Sequence, residues 1–278
     1  MLSISEHFYS IQGEGNTVGV PAYFIRLQGC NLMCGGPNAS LVKQGKATWW
    51  CDSEVIWKRG NQVTYEELSS SWDEQGILDQ ILSGNIHLIW TGGEPTIPRH
   101  TKAIMGFIDY MNDIFPDNEV FNEIETNGTV VVPDEFYRVT SNPGNPNTTS
   151  LILNGKPMSG TVTMSMPYIH QVNCSPKLAN SGMAESMRIN PEAIIQIRDC
   201  INGYFKFVIS VEDDIKEIQD TYLKPFNIHD QKVIIMPGVD NREDLPERTA
   251  FLFEMTKKYG YRGITRQHIL AWDKVTGV

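Results

Sequence analysis

Gly29-Cys30-Asn31-Leu32-Met33-Cys34, resumed after residues 35–48 by Trp49-Trp50-Cys51-Asp52-Ser53, is the stretch around which the rest of the chain can be read. Three of the five cysteines stand here, directly behind an apolar run over residues 22–27 that predicts a buried strand. Thiolates are soft ligands that suit iron-sulfur clusters or zinc, and three of them together in a cysteine-poor chain point to a metal centre rather than to packing. A three-thiolate site leaves a fourth coordination position open, and an open position is where chemistry happens. On spacing alone a structural zinc site, with His7 or another residue as fourth ligand, stays open as well.

Composition narrows the partners. The chain has 278 residues, 41% of them hydrophobic, which allows one large or two small domains with a substantial core. A formal net charge of -10 and a pI near 5.1 oppose extended binding to a nucleic-acid backbone, which needs clustered Lys and Arg. A small-molecule partner is the better expectation. No apolar run approaches the roughly 20 residues that span a bilayer, and no basic region with an apolar signal core opens the chain. The expectation is a soluble, cytoplasmic protein without a membrane partner. An odd cysteine count clustered on one side does not resemble a secreted disulfide framework.

Strand and helix alternate along the chain. Residues 35–48 hold three glycines and a proline and predict a surface excursion. Thr64-x-x-Glu67 is a capping box opening a helix through about residue 82. Strands are expected over 87–90, 120–125, 161–166, 204–210 and 232–236. Helices are expected over 99–115, from Asn190-Pro191 to Cys200, over 212–222, and from a cap at Asp244-x-x-Glu247 to Gly260. Residues 141–160 are rich in Asn, Pro, Gly, Ser and Thr and predict a long loop or an added hairpin. The alternation argues an α/β fold with a mostly parallel sheet. Each polar or glycine-rich cluster follows a predicted strand, the end at which parallel sheets and barrels gather their ligand sites.

Alone, most of those clusters are ordinary turns. Thr91-Gly92-Gly93-Glu94-Pro95 could be one, yet paired glycines let backbone approach a ligand and a neighbouring carboxylate can answer an ammonium group. Glu125-Thr126-Asn127-Gly128-Thr129, Ser175-Pro176-Lys177 and Met236-Pro237-Gly238 are more often turn chemistry than site. Arg26 sits inside an apolar strand, where an unpaired guanidinium is costly and a carboxylate from protein or substrate would resolve the cost. Cys174 and Cys200 read as small buried thiols, and His268 by itself as a structural histidine.

Cys-x3-Cys followed by Trp-Cys-Asp-Ser resembles the cluster loop of the radical S-adenosylmethionine superfamily, and Gln12-Gly13-Glu14-Gly15 ahead of it is similar to the 7-carboxy-7-deazaguanine synthase family. The superfamily's usual spacing is Cys-x3-Cys-x2-Cys, so the sixteen residues 35–50 stand where it has two. The resemblance runs from Ile4 to His268 with insertions at about 35–48 and 141–160. It implies a single domain over 1–278, folded as a partial (β/α) barrel. It implies a [4Fe-4S] cluster on Cys30, Cys34 and Cys51, with S-adenosyl-L-methionine at the fourth iron. Gly93 and Glu94 would meet the amino end of that cofactor, Ser175 and Lys177 its ribose and carboxylate, and Met236, Pro237 and Gly238 its further backbone contacts. Gln12, Gly13, Glu14, Arg26, Thr91 and His268 would bind substrate, Gln12 and Glu14 reading the ring edge and Arg26 the carboxylate, with Glu14 and Arg26 the catalytic pair. Gln267-His268 resembles the family's Gln-x-His without the spacer. Ser53 stands where the family has a threonine that helps ligate Mg2+, and it keeps the hard oxygen.

The implied reaction converts 6-carboxy-5,6,7,8-tetrahydropterin to 7-carboxy-7-deazaguanine with loss of ammonia, through a 5'-deoxyadenosyl radical that takes the C6 hydrogen. A flavodoxin-like or ferredoxin-like electron donor and a homodimer are implied with it. Two alternatives stay open. A glycyl-radical activase of the same superfamily would not need Gln12, Glu14 and Arg26 as a carboxylate-reading set. A zinc-stabilised binding module would need no catalysis.

Overall fold

The computed structural model describes residues 1–51, 53–137, 167–275 and 277–278, and between 138 and 166 only the strands Thr140–Ser141, Ile152–Leu153, Lys156–Pro157 and Met164–Ser165. The principal strands are β1 (Leu2–Ile11), β2 (Pro21–Leu27), β3 (Asn61–Val63), β4 (His87–Gly92), β5 (Asn122–Thr126), β6 (Gln171–Cys174), β7 (Gly203–Ile209), β8 (Val233–Pro237) and β9 (Arg262–Gly263). They form a nine-stranded sheet in the order β9-β8-β7-β6-β5-β4-β2-β1-β3. From β2 to β9 every pairing along the main run is parallel, and the hairpin partner β1 and the short β3 close one edge antiparallel.

Alternation along each strand sorts the two faces of the sheet. Tyr23, Ile25, Leu27, Leu88, Trp90, Ile124, Phe205, Phe207 and Ile235 point to the helices and join one core. The middle of that core is aromatic. Trp72 of helix Tyr65–Glu74 meets Tyr23 and Phe107 edge-on at 5.6 and 5.7 Å, and Trp90 meets Phe107 at 5.5 Å. Each such fully buried large side chain contributes roughly 1.5–3 kcal/mol. Helix Pro98–Ile114 supplies His100, Ile104, Phe107, Ile108 and Met111 at the three-and-four spacing of a buried stripe.

The other face is polar, and it curls. Glu14, just beyond β1, reaches Lys206 of β7 at 2.6 Å, although four strands separate β1 from β7 in the sheet. Helix Gln267–Trp272 closes on the same place, with the Gln267 amide donating to the Gly13 carbonyl at 3.2 Å. Strands laid down in chain order and rolled until first and late members touch make a partial (β/α) barrel, as expected from the resemblance.

Several local expectations changed. The capping box forms, Thr64 Oγ1 accepting from the Glu67 amide and the Glu67 carboxylate accepting from the Thr64 amide. The helix it opens breaks at Gly76, φ 67°, and resumes at Leu78–Leu82. Residues 35–48 are not element-free, because Ser40–Lys43 forms a helical turn. Asn190 caps helix Pro191–Arg198 as expected, but the Asp244 side chain caps nothing. It accepts from Asn241 Nδ2 at 2.9 Å, and helix Leu245–Tyr259 stops at Gly260, φ 77°. The strand expected over 161–166 is described only at Met164–Ser165, which pairs with Thr140–Ser141 outside the main sheet. Its place is taken by Gln171–Cys174, whose inward Gln171 and Asn173 break the apolar run that sequence reading looks for. Within 141–160, Ile152–Leu153 and Lys156–Pro157 pair antiparallel, the added hairpin that was expected as one of two outcomes, and apart from Ser141 the other residues lie outside the described ones. Among the described residues no helix is long and apolar enough to cross a membrane.

Candidate active site

The strand ends assemble the cysteine loop. β2 leaves Gly29 and Cys30 lying across the end of β4, where Gly93 donates to the Leu27 carbonyl at 3.0 Å and Glu94 to the Gly29 carbonyl at 2.9 Å. A Cβ on Gly93 would stand 1.7 Å from the Gly29 oxygen, so the glycine is needed for backbone against backbone. The close approach expected toward a ligand is thus spent on the cysteine loop itself. Glu94 is likewise committed. It is 1% exposed, and its carboxylate accepts from the Thr96 amide (3.0 Å), the Thr96 and Thr126 hydroxyls (2.6 Å each) and the Asn127 amide (2.7 Å). It therefore ties the end of β4 to the end of β5, with burial pushing its carboxyl above the usual range against those bonds.

Around the thiols, Cys34 is buried and Cys30 and Cys51 are half-buried. The Cys51 amide donates to the Cys34 carbonyl at 3.2 Å, so the long detour returns to its starting point. Burial pushes the Cys30 thiol up to about 12, with the Glu94 carboxylate and the sulfurs of Cys34 and Cys51 adding to the push. Cys30 thus lies within electrostatic reach of both other sulfurs. Donors already face Cys30: the Leu32 amide at 3.4 Å and Asn127 Nδ2 at 3.9 Å. Asn127 is in turn held by Asn31 Oδ1 at 2.9 Å. Lys177 donates to Ser175 Oγ at 3.1 Å and lies 5.8 Å over the Trp49 ring. Ser175 itself is fixed by its amide on the Thr126 carbonyl, 2.7 Å.

Below this rim, the inner face of the barrel is a charge network. Glu14 accepts from Lys206 Nζ at 2.6 Å and from Arg266 Nε at 2.8 Å, with His268 Nε2 at 3.9 Å. Burial opposes the Glu14 charge, but Lys206, Arg266 and His268 outweigh it and hold the carboxyl well below the usual range. Lys206, 2% exposed, also donates to Glu125 at 2.9 Å. Glu123, fully buried, accepts from Gln12 Nε2 at 2.9 Å and from the hydroxyl of Thr17 and the amide of Asn173.

The sequence-derived residues stand at several separate places in this frame. Glu14, Gly13 and His268 come together, a Cβ on Gly13 meeting His268 Nδ1 at 2.6 Å. Arg26 and Thr91 are cross-strand neighbours on the inner face. Arg26 Nε lies 2.8 Å from Glu6 Oε1 as an ion pair without hydrogen-bond alignment, its guanidinium over Phe8 at 5.6 Å. The protein carboxylate expected for Arg26 is thus Glu6, which was not anticipated. Gln12 is 2% exposed, its amide nitrogen given to Glu123 and Glu125 and its oxygen to the Glu14 amide, so it braces the site instead of presenting a free edge. Met236 and Pro237 are buried at the end of β8, and Gly238 donates to the Ile209 carbonyl at 2.8 Å. Ser53 begins helix Glu54–Trp57. His7 bonds Tyr23 on the helix side of the sheet, away from Arg26 and Glu6.

Lys206, Arg266, Glu123 and Asn173 were not singled out from sequence. For Lys206 the signal was a lone lysine inside the apolar run of β7, and for Glu123 its alternation with Glu125 about Ile124 in β5, both of which demand a polar inner face; Asn173 and Arg266 gave none.

The donor set suits an iron-sulfur cluster. A cubane takes one thiolate per iron, with hydrogen bonds to sulfur tuning it; the loop carries three free cysteines, and the Leu32 and Asn127 donors face Cys30. Among the described residues no three His, Cys, Asp or Glu side chains are grouped to hold a single metal ion.

No family model matches the chain. In sequence it is similar along nearly its whole length to curated proteins named 7-carboxy-7-deazaguanine synthase. With that of Halobacterium salinarum it shares 25% identity, covering 98% of this chain and 91% of the relative. With that of Rhodopirellula baltica it shares 29%, covering 96% and 85%. With that of Neisseria meningitidis it shares 34% over 140 residues, half of each chain. In structure it is similar to QueE from Escherichia coli, with a TM-score of 0.56 at 21% identity over 95% of this chain and 93% of that one, a likeness of fold.

Proposed function

We infer that the chain is a 7-carboxy-7-deazaguanine synthase of the radical S-adenosylmethionine superfamily, converting 6-carboxy-5,6,7,8-tetrahydropterin to 7-carboxy-7-deazaguanine with loss of ammonia. The observation that carries this is the joining of two things: a three-cysteine loop seated on Gly92-Gly93-Glu94, and a charged barrel interior beneath it, in a chain similar end to end to synthases. A [4Fe-4S] cluster with S-adenosyl-L-methionine, when bound, supplies reductive formation of a radical able to take hydrogen from carbon.

The protein's own share is binding, orientation and charge. Cys30, Cys34 and Cys51 hold the cluster, and Ser175 and Lys177 offer a hydroxyl and an ammonium to the cofactor. Glu94, fixed by Thr126 and Asn127, keeps acceptor capacity on Oε2 for the amino end of the cofactor. Gly93 and the end of β8 at Met236, Pro237 and Gly238 present backbone. Arg26 presents its guanidinium on the inner face to the pterin carboxylate, a charge-assisted bond. Glu14, kept ionised by Lys206, Arg266 and His268, faces the amine-bearing edge of the ring. Gln12, Gly13 and Thr91 complete the wall, and Ser53 supplies one oxygen toward Mg2+, an ion that keeps several waters and takes few protein ligands. A flavodoxin-like or ferredoxin-like donor and a homodimer belong to the same reading.

The test is anaerobic incubation of the reconstituted chain with the carboxypterin, S-adenosylmethionine and a reductant, followed by mass analysis for loss of ammonia. Arg26→Ala should abolish pterin turnover while leaving uncoupled cofactor cleavage. Undiminished pterin affinity in that variant would remove Arg26 from the carboxylate site.

A further inference from the structure

The detour of residues 35–50 has a built-in closure. Its two ends lie against each other, since a Cβ on Gly35 would stand 2.6 Å from both the Trp49 oxygen and the Trp50 Cα. Beside that junction sits Glu54, with no exposed surface. Its carboxylate accepts from the Asn38 amide at the start of the detour (3.3 Å), from the indole N–H of Trp50 at its end, and from the Lys58 ammonium one helical turn on. Its own amide donates to the Cys51 carbonyl at 3.3 Å.

An ionised carboxylate without water is tolerated only when its lone pairs are filled, and here three separate segments fill them. Asn38, Trp50 and Lys58 are themselves exposed, so what an apolar side chain would lose is the tie that holds three segments to one point. We propose that Glu54 is the positioning residue that closes the detour and so holds Cys51 beside Cys34. The proposal rests on the cluster reading of the three cysteines and explains how a sixteen-residue gap can serve the same site as a two-residue one. A second tether works alongside it. The Thr48 amide and the Trp49 indole both donate to Asn180, each at 2.9 Å, so the far side of the detour is pinned to the loop that follows β6.

The test uses the full chain, first without metal. A short bifunctional thiol reagent is applied and the Cys34-to-Cys51 cross-link is quantified by mass spectrometry, with circular dichroism as the check on folding. Iron per chain is then measured after anaerobic reconstitution. Glu54→Gln keeps the shape but presents an N–H₂ where donors point. Its cross-link yield should fall about tenfold, as loss of a charge-assisted bond predicts, with iron retention falling in step. Trp50→Phe keeps the ring and removes one donor, and should move both readouts less in the same direction. Glu67→Gln, which weakens a cap in another element, should move neither. Should Glu54→Gln fail to fold, Trp50→Phe decides alone. Folded variants with wild-type cross-linking and iron overturn the proposal. A wild-type chain that takes up no iron-sulfur cluster, while Glu54→Gln still loses the cross-link, would sink the functional reading and leave the positioning role standing.

Discussion

Lys206→Met removes the only cation that Glu125 touches among the described residues and one of two close cations on Glu14, leaving Arg266 at 2.8 Å. Methionine fills much of the same volume, so the change isolates charge. Breaking a buried pair by deleting one partner typically costs about 3–5 kcal/mol, and the escape open to an orphaned carboxylate sets a ceiling. Taking a proton at pH 7 costs an ordinary carboxyl about 3.7 kcal/mol, at 1.36 kcal/mol per pH unit above a reference near 4.3. The expected loss is therefore about 3–4 kcal/mol at pH 7, shrinking to about 1 kcal/mol at pH 5, where protonation is cheap. The wild-type chain should not show that slope. Glu14 has a depressed folded value, so its stabilisation is present above its unfolded value of 4.5 and is lost only as pH falls through the folded one. Lys206 has a raised folded value, so its contribution is complete below 10.5 and is lost as pH rises through the folded one. Urea unfolding of the metal-free chain at both pH values measures the difference. Lys224→Met, which breaks the exposed pair with Asp220, is the control and should leave the unfolding curve where the wild-type one lies. A Lys206→Met cost as small as that control, or one that does not change between pH 7 and pH 5, would refute the argument.

Two further outcomes follow from the strand ends. Gly93→Ala places a methyl 1.7 Å from the Gly29 oxygen, so the cysteine loop must lift off β4, and iron bound per chain after reconstitution should fall severalfold while the fold persists. Cys174→Ala and Cys200→Ala, both in the main core, should each lose about 1 kcal/mol of stability in denaturant titration yet bind wild-type iron. Loss of iron in either would mean that the ligand set is wrong.

Much of the fold was legible because its signals are local. The Thr64 and Asn190 caps need only residues a few positions apart, and helix Pro98–Ile114 shows its stripe within its own span. Strand β6 was missed because its inward residues are polar for distant reasons: Asn173 donates to the buried Glu123, 50 residues away, and Gln171 bonds Asn16 and the Asn202 carbonyl. The donors that Thr126 and Asn127 bring to Glu94 were likewise not legible, since they stand more than 30 residues on in the chain.

The amino-acid sequence by itself determined most element types, a mostly parallel sheet and the gathering of cysteine, glycine and polar clusters at one end of the strands. Those follow from hydrophobic period and turn chemistry, which act over a few residues. Only the tertiary structure decided that Glu14 meets Lys206 across the rolled sheet, that Arg26 pairs with Glu6, and that Cys51 returns to Cys34 through the buried Glu54. Each of these is a contact between segments far apart in the chain. Which donor fills which buried lone pair is settled by the curl of the sheet and the exclusion of water, not by any local preference.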